Sequence, residues 1–467
     1  MKRIVSYITI SFFATIILWA QEPISPIRVN KDENPLGTPS RQIIPSAVYT
    51  LPDCLGIGLE NNYSILISRN EEEITRNNAT IANAGYLPTI DLSAGYTGNL
   101  SDTKTTTREG ETTKGNGIYD QVVNAGINLN WTIFDGFKIS TTYQRLKELE
   151  KQGEINTRIT IENFVSDLTA EYYNFVQQKI RLKNLRYAVS LSKERLRIVE
   201  ERYNIGSFSR LDLQQARVDF NADSAQYMKQ QEVLNTSRIR LNELMAIPNV
   251  NEYFIVQDSL IIVNELLNYD DLEKSTMQIN ASLIKAAYNN NLALLDLKLV
   301  NSRNYPYLRF NGGYGYTYNK YEIGATDKRQ NLGLNFGLTI GFNLFDGNRR
   351  RERKNALLEI ENSRLERREV EQAIKADLST LWLAYLNNIE MLKLERENIV
   401  AAKENLEIAM ERYMLGNLSG IEMREAQKSL LDAEERILTA EYNTKLCEIS
   451  LLQISGKILN YTDRFIN

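Results

Sequence analysis

The chain of 467 residues has no histidine, only two cysteines and only nine prolines. Without histidine it lacks the commonest metal ligand and the commonest general base. Cys54 and Cys447 stand far apart, outside any metal-ligand spacing, and read as unpaired structural thiols. No nucleophile–base set, metal cluster or phosphate-binding glycine loop is visible, so no catalytic residue, metal or cofactor is expected. A formal net charge of −4 gives no electrostatic basis for nucleic-acid binding. Mean hydropathy is −0.37, which excludes a bundle of membrane-spanning helices. The one long apolar run, residues 4–20, follows Lys2 and Arg3 and is diluted by Ser6, Thr9, Ser11 and Thr15. It reads as a signal peptide over 1–20, cut after Ala20, with a single anchoring helix as the alternative.

Proline is distributed unevenly. Five prolines fall within residues 21–50, which read as an extended segment without a core of its own. None occurs between Pro88 and Pro248. That interval leaves room for a very long helix, expected over about 136–203 and followed by another over about 210–246. Their seams repeat every seven residues: Ile161, Leu168, Phe175, Leu182, Val189, Leu196 and Tyr203, then Leu213, Phe220, Tyr227, Leu234 and Leu241. Such spacing drives left-handed supercoiling with neighbouring helices. One narrow stripe per helix suits a hollow wall better than a solid globule.

The chain encodes one unit twice, over 51–248 and 270–459, joined by a connector at 249–269 and followed by a tail at 460–467. Arg202-Tyr203, Gly206 and Asp212 return as Arg412-Tyr413, Gly416 and Glu422, 210 positions later. Phe134-Asp135-Gly136 returns as Phe345-Asp346-Gly347, 211 positions later. Gly206 and Gly416 suit the left-handed residue that ends a helix. Ser209 with Asp212, and Ser419 with Glu422, have capping-box spacing for the next helix. The second unit therefore repeats the helix pair, at about 347–413 and 420–459.

Each unit opens with a helical pattern, Pro52 to Ala84 and Asp270 to Arg303, and then changes to period two. Val123, Ala125, Ile127, Leu129, Trp131 and Ile133 face one way, with Asn124, Gly126, Asn128 and Asn130 opposite. Four strands are expected, at about 86–100, 119–134, 305–318 and 330–345, with a Thr- and charge-rich loop over 101–118. Each is long enough to cross a bilayer as a tilted strand. Four strands cannot close a barrel, and an open edge in lipid leaves backbone groups unpaired. Several chains are therefore required, and three would supply twelve strands. The alternative is a scaffold without a pore, its sheet folded against coiled-coil arms.

Over about residues 50–460 these features resemble the TolC/OprM-like outer-membrane efflux proteins. The resemblance rests on the duplicated plan, the two Phe-Asp-Gly junctions and the two Arg-Tyr-x-x-Gly reversals. It implies a mixed α and β membrane protein of a Gram-negative bacterium. A homotrimer would form a twelve-stranded barrel in outer-membrane lipid, continued by a periplasmic α-helical barrel. Such a duct passively serves a tripartite efflux pump or a type I secretion system. Its partners are a periplasmic adaptor (membrane fusion) protein and an inner-membrane RND or ABC transporter. The reversals, with Gly206, Gly416, Arg202, Arg412 and Tyr203, would form the adaptor-docking tip. Glu422, Glu425 and Asp212 match acidic positions that narrow the entrance, and Tyr413 matches a tyrosine that helps close it. Glutamates stand where the best-known member has aspartates, and Leu418 occupies the position of a basic partner. The cargo is not legible.

Overall fold

The structure, a computed structural model, describes residues 47–322 and 326–459. The expected signal peptide, most of the proline-rich segment and the tail at 460–467 lie outside the described residues. The chain starts with β1 (Ala47–Tyr49), α1 (Leu51–Asn61), α2 (Tyr63–Asn78) and α3 (Ile81–Ala84). It continues with strands β2 (Thr89–Thr106) and β3 (Thr112–Asp135), the 67-residue α4 (Lys138–Asn204), α5 (Arg210–Leu244) and β4 (Phe254–Val256). Then come α6 (Tyr269–Ile279), α7 (Ala281–Ser302), β5 (Tyr307–Lys320), β6 (Lys328–Gly341), the 68-residue α8 (Gly347–Met414) and α9 (Gly420–Ile454).

The alternation builds one antiparallel sheet in the order β2-β3-β5-β6. In register, Ile90 faces Leu129, Ile127 faces Tyr314, and Tyr314 faces Leu334, so a single apolar face runs across all four strands. That face is uncovered in one chain: Leu92 is 81% exposed, Phe336 78% and Ile340 73%. The opposite face carries small polar residues. Its row Ser93, Gly126, Gly315, Gly333 holds hardly any side chain. A Cβ on Gly126 would stand 2.9 Å from the Gly315 Cα, so glycine permits a close strand approach here.

The expected loop at 101–118 is mostly strand. Thr106 pairs with Thr112, and Asp102 accepts a hydrogen bond from the Gly117 N–H at 2.7 Å. Period-two polarity was absent there because both faces of this extension are polar, so alternation gave no signal. At about 3.4 Å per residue, 24-residue β3 far exceeds a membrane crossing. In the second half the strands are 14 residues each, and 342–346 is not strand.

The helix expected from Pro52 to Ala84 is three helices, and that from Asp270 to Arg303 is two. Asparagine makes the main break in each case. The Asn62 N–H donates to Gly58 O, closing α1, while its Oδ1 accepts from the Ser64 and Ile65 N–H groups, opening α2. Asn280 does the same between α6 and α7. Each asparagine then spends its amide on another helix end: Asn62 Nδ2 donates to Leu244 O at 2.9 Å, and Asn280 Nδ2 to Ile454 O at 2.8 Å. The C-termini of α5 and α9 are thereby held at the starts of α2 and α7. Side-chain capping competes with helix continuation, which apolar periodicity does not report.

Residues 47–49, expected to be coreless, form β1 and pair in parallel with β4; Tyr49 packs on Phe254 with ring centroids 5.4 Å apart. The largest core lies at this level, where Leu168, Tyr172 and Val176 of α4 meet Leu241 and Phe254. Some helices also bury a second stripe that is largely polar, which corrects the reading of one narrow stripe per helix. On α5 it is Ala216, Asp223, Gln230 and Ser237, seven apart. These polar groups are satisfied across helices: Gln230 Nε2 donates to Gln178 Oε1 at 2.8 Å, and Ser237 Oγ to Glu171 Oε1 at 2.7 Å.

The two Phe-Asp-Gly junctions are alike in sequence and unlike in shape. Asp346 caps α8 directly, accepting from the Asn348 N–H at 3.0 Å, and Gly347 is already helical. Asp135 instead reaches the Ile139 N–H at 3.0 Å across Gly136 and Phe137, both left-handed, so α4 starts at Lys138. Phe137 packs edge-on against Phe134 and Tyr305, whereas Phe345 is 87% exposed. A Cβ on Gly136 would meet Ser302 O at 2.2 Å. Gly136→Ala is expected to destabilise by on the order of 3 kcal/mol, combining the left-handed strain with overpacking. Gly347→Ala should cost nothing measurable. Thermal unfolding of the two variants in detergent checks this contrast; equal midpoints would refute it.

Candidate functional site

Both long helices end in the same turn. Gly206 (φ 78°) donates to Tyr203 O at 2.9 Å, and the Ser207 N–H donates to Arg202 O at 2.8 Å. Gly416 (φ 80°) donates to Tyr413 O at 3.1 Å, and the Asn417 N–H to Arg412 O at 2.9 Å. These pairs form the Schellman motif and use up the last carbonyls of α4 and α8. Open space surrounds Gly206 where a Cβ would stand, so the backbone angle alone asks for glycine.

The next helices open with complete capping boxes. Ser209 Oγ accepts from the Asp212 N–H at 3.2 Å, while Asp212 Oδ2 accepts from the Ser209 N–H at 3.0 Å. Ser419 and Glu422 repeat both bonds at 3.2 and 3.0 Å. The bonds from Ser209, side chain first, hold the Asp212 carboxyl below its ordinary range. For Glu422 the Ser419 backbone bond leads, the serine hydroxyl follows, and the charge of Arg412 adds to the lowering. Both carboxylates thus carry charge at neutral pH while serving as caps. Glu425, one turn on, is exposed and has no hydrogen bond or ion pair among the described residues.

One apolar cluster joins the two reversals. Val199 of α4 and Leu213 of α5 pack with Leu406 and Tyr413 of α8 and with Met423 and Ala426 of α9. Over this cluster Arg202 crosses from the first reversal to the second. Its Nη2 donates to Met414 O at 2.9 Å and Tyr413 O at 3.4 Å, at the C-terminus of α8. Its guanidinium also lies over the Phe208 and Tyr413 rings, 5.3 and 5.8 Å from their centroids. A cation at a helix C-terminus offsets the dipole there. Arg412, its sequence counterpart, is exposed and reaches no carbonyl. Tyr413 is 1% exposed, burial pushes its phenol up, and its hydroxyl has no hydrogen-bond partner among the described residues. Tyr203 is 37% exposed and is not a member of this cluster.

Apolar periodicity missed a buried ionic link between the same hairpins. Asp223 of α5, 2% exposed, accepts from both Arg424 Nη groups of α9 at 2.7 and 2.8 Å and from Gln427 Nε2 at 3.3 Å. Arg195 of α4, 4% exposed, pairs with Asp219 and donates to Gly420 O at 3.5 Å. The available signal was the second seven-residue stripe of α5, with an acid in a seam position. The structure therefore gathers Arg202, Tyr413, Asp212 and Glu422 at one end of the chain's two hairpins. The Phe-Asp-Gly residues stand at the opposite ends of the long helices, where the sheet begins.

The profile of the family described as "Outer membrane efflux protein" matches residues 56–246 and 274–457. The chain is 21% identical over 410 residues to the outer membrane protein TolC of Vibrio cholerae, covering 85% of this chain and 89% of that protein. Among solved structures, a membrane protein from Pseudomonas aeruginosa superposes with a TM-score of 0.73 at 14% identity, covering 87% of this chain and 90% of that one. The CmeC outer membrane channel of Campylobacter jejuni superposes at 0.70 with 18% identity, covering 87% and 85%. With two-block coverage of most of its length, the chain belongs to the outer membrane efflux protein family and is an outer-membrane channel of efflux.

Proposed function

We propose that three copies of the chain close a twelve-stranded barrel in the outer membrane, and that the long helices continue it as a tube into the periplasm. The observation that carries this reading is the sheet itself. Its outer strands β2 and β6 have no partner on their far sides among the described residues, yet one whole face is apolar and uncovered. Strands in lipid must pair at every edge. β2 and β6 run in opposite senses, so β6 of one copy and β2 of the next would continue the antiparallel order. The repeated motifs support an internal duplication that lets each chain supply two staves of the wall.

In this reading the reversals form the inner mouth of the duct. Glu422, Glu425 and Asp212 of three copies ring the entrance, and a periplasmic adaptor docks around Gly206 and Gly416. The adaptor connects the duct to an inner-membrane transporter, of the RND or ABC class, in a tripartite efflux pump or type I secretion system. Arg202 acts as the clasp of the mouth, tying the first reversal to the second.

Single-channel recording in planar bilayers tests the ring. Glu422→Gln keeps a side chain competent for the capping box but removes the charge. Glu422→Gln with Glu425→Gln should lower cation selectivity and raise conductance, whereas Glu422→Ala alone should mainly loosen the start of α9, by about 1 kcal/mol. A silent double variant would leave Glu422 as a cap only, and no conductance from any form would sink the duct. Arg202→Ala removes a charged hydrogen bond worth about 1.5 kcal/mol, so amide exchange around Gly416 and Asn417 should rise about tenfold. Arg412→Ala should leave that exchange unchanged, and equal effects of the two would refute the clasp.

A further inference from the structure

We infer that the start of α8 is a binding site for the phosphate groups of anionic phospholipids in the periplasmic leaflet. Positions 349–354 read Arg-Arg-Arg-Glu-Arg-Lys. Two of these six are already engaged. Arg349 donates to Asn304 Oδ1 at 3.0 Å and Asn343 O at 3.1 Å, and Glu352 pairs with Arg303 at 2.6 Å. Arg350, Arg351, Arg353 and Lys354 are exposed and have no hydrogen bond or ion pair among the described residues. Four uncompensated cations therefore crowd the first two turns of a helix, where the backbone dipole already presents positive charge. Both terms oppose this placement.

The fold itself does not require it. The positions 211 residues earlier, at the start of α4, are Lys138, Ile139, Ser140, Thr141, Thr142 and Tyr143, with Lys138 the one cation among them. A local choice that works against the helix points to a demand from outside the chain.

Depth identifies that demand. Immediately before α8 and just past the end of β6, Phe342, Leu344 and Phe345 are 51%, 88% and 87% exposed. They mark the lower edge of the hydrocarbon. Counted from Gly347, where the helix starts, positions 350–354 lie about 5–10 Å further along its axis, at 1.5 Å per residue. A headgroup layer is roughly 5–8 Å deep on each side of the bilayer. The cations thus stand at about phosphate depth, and all four are exposed. Arginine forks suit phosphate oxygens, and juxtamembrane basic clusters favour anionic lipid. The inference rests on the sheet lying in the bilayer, and neither on the number of chains nor on the gate. Loss of conductance would leave it standing.

The test follows the thermal midpoint of the purified full-length protein in detergent, with and without added lipid. Phosphatidylglycerol should raise the midpoint by several degrees, phosphatidylcholine and inorganic phosphate should not, and high salt should shrink the shift. The variant with Arg350, Arg351, Arg353 and Lys354 all changed to Gln should lose the response. If that variant does not fold, native mass spectrometry of the wild-type protein decides, with about tenfold enrichment of anionic over zwitterionic phospholipid expected. An unchanged response in the variant, an equal effect of phosphatidylcholine or of phosphate, or no enrichment would overturn the site. A variant that dissociates into single chains without lipid would assign these cations to a sister chain instead.

Discussion

Backbone hydrogen bonding at the two edges of one sheet governs this molecule. Among the described residues of a single chain β3 and β5 are paired on both sides, whereas β2 and β6 are paired on one only. In water an unpaired edge costs little, because solvent serves the exposed N–H and C=O groups. In hydrocarbon each unserved group costs several kcal/mol. With an uncovered apolar face the sheet belongs in lipid, and in lipid its edges demand partners. The proposed trimer answers that demand with copies of the same edges, which makes assembly and membrane insertion one requirement.

The helices inherit the consequence. In the proposed tube the wall would be one helix thick, with two wet sides and only its flanks buried, so it could not rely on a large apolar core. Here the flanks carry both apolar seams and a polar stripe whose members are paired in detail, from Gln230 with Gln178 to Asp223 with Arg424. Such pairs add little stability over apolar packing but penalise wrong registers, because one slipped step strands a buried charge. The helix ends are handled as strictly. Asn62 and Asn280 fasten the broken upper helices to the ends of α5 and α9, and Schellman turns with capping boxes close the reversals. Near the inner end, Arg202 and the Arg424–Asp223 pair join the two hairpins.

Legibility in the sequence followed the strength of periodic signals. The seams of α4 and α5 were readable because one apolar residue returned every seven positions. The lipid-facing parts of the strands were readable because Val123 to Ile133 alternate cleanly. The hairpin beyond Ser101 was not, since polar residues on both faces leave nothing to alternate. The breaks at Asn62 and Asn280 escaped because asparagine inside a helical pattern looks like any exposed polar residue until its side chain caps. The reversals were read from glycine and serine spacing, and the capping roles of Asp212 and Glu422 followed from that spacing. Arg202 and Arg412 could not be told apart, because the difference lies in which helix stands opposite. The same holds for Gly136 and Gly347, where identical tripeptides adopt unlike geometries.

The account turns on whether sister chains complete the sheet. Native mass spectrometry of the protein extracted from outer membranes measures this directly. Three copies in one particle, persisting until conditions that unfold the sheet, is the result the account requires. A stable particle with the mass of one chain would contradict it, since β2 and β6 would then have found closure some other way.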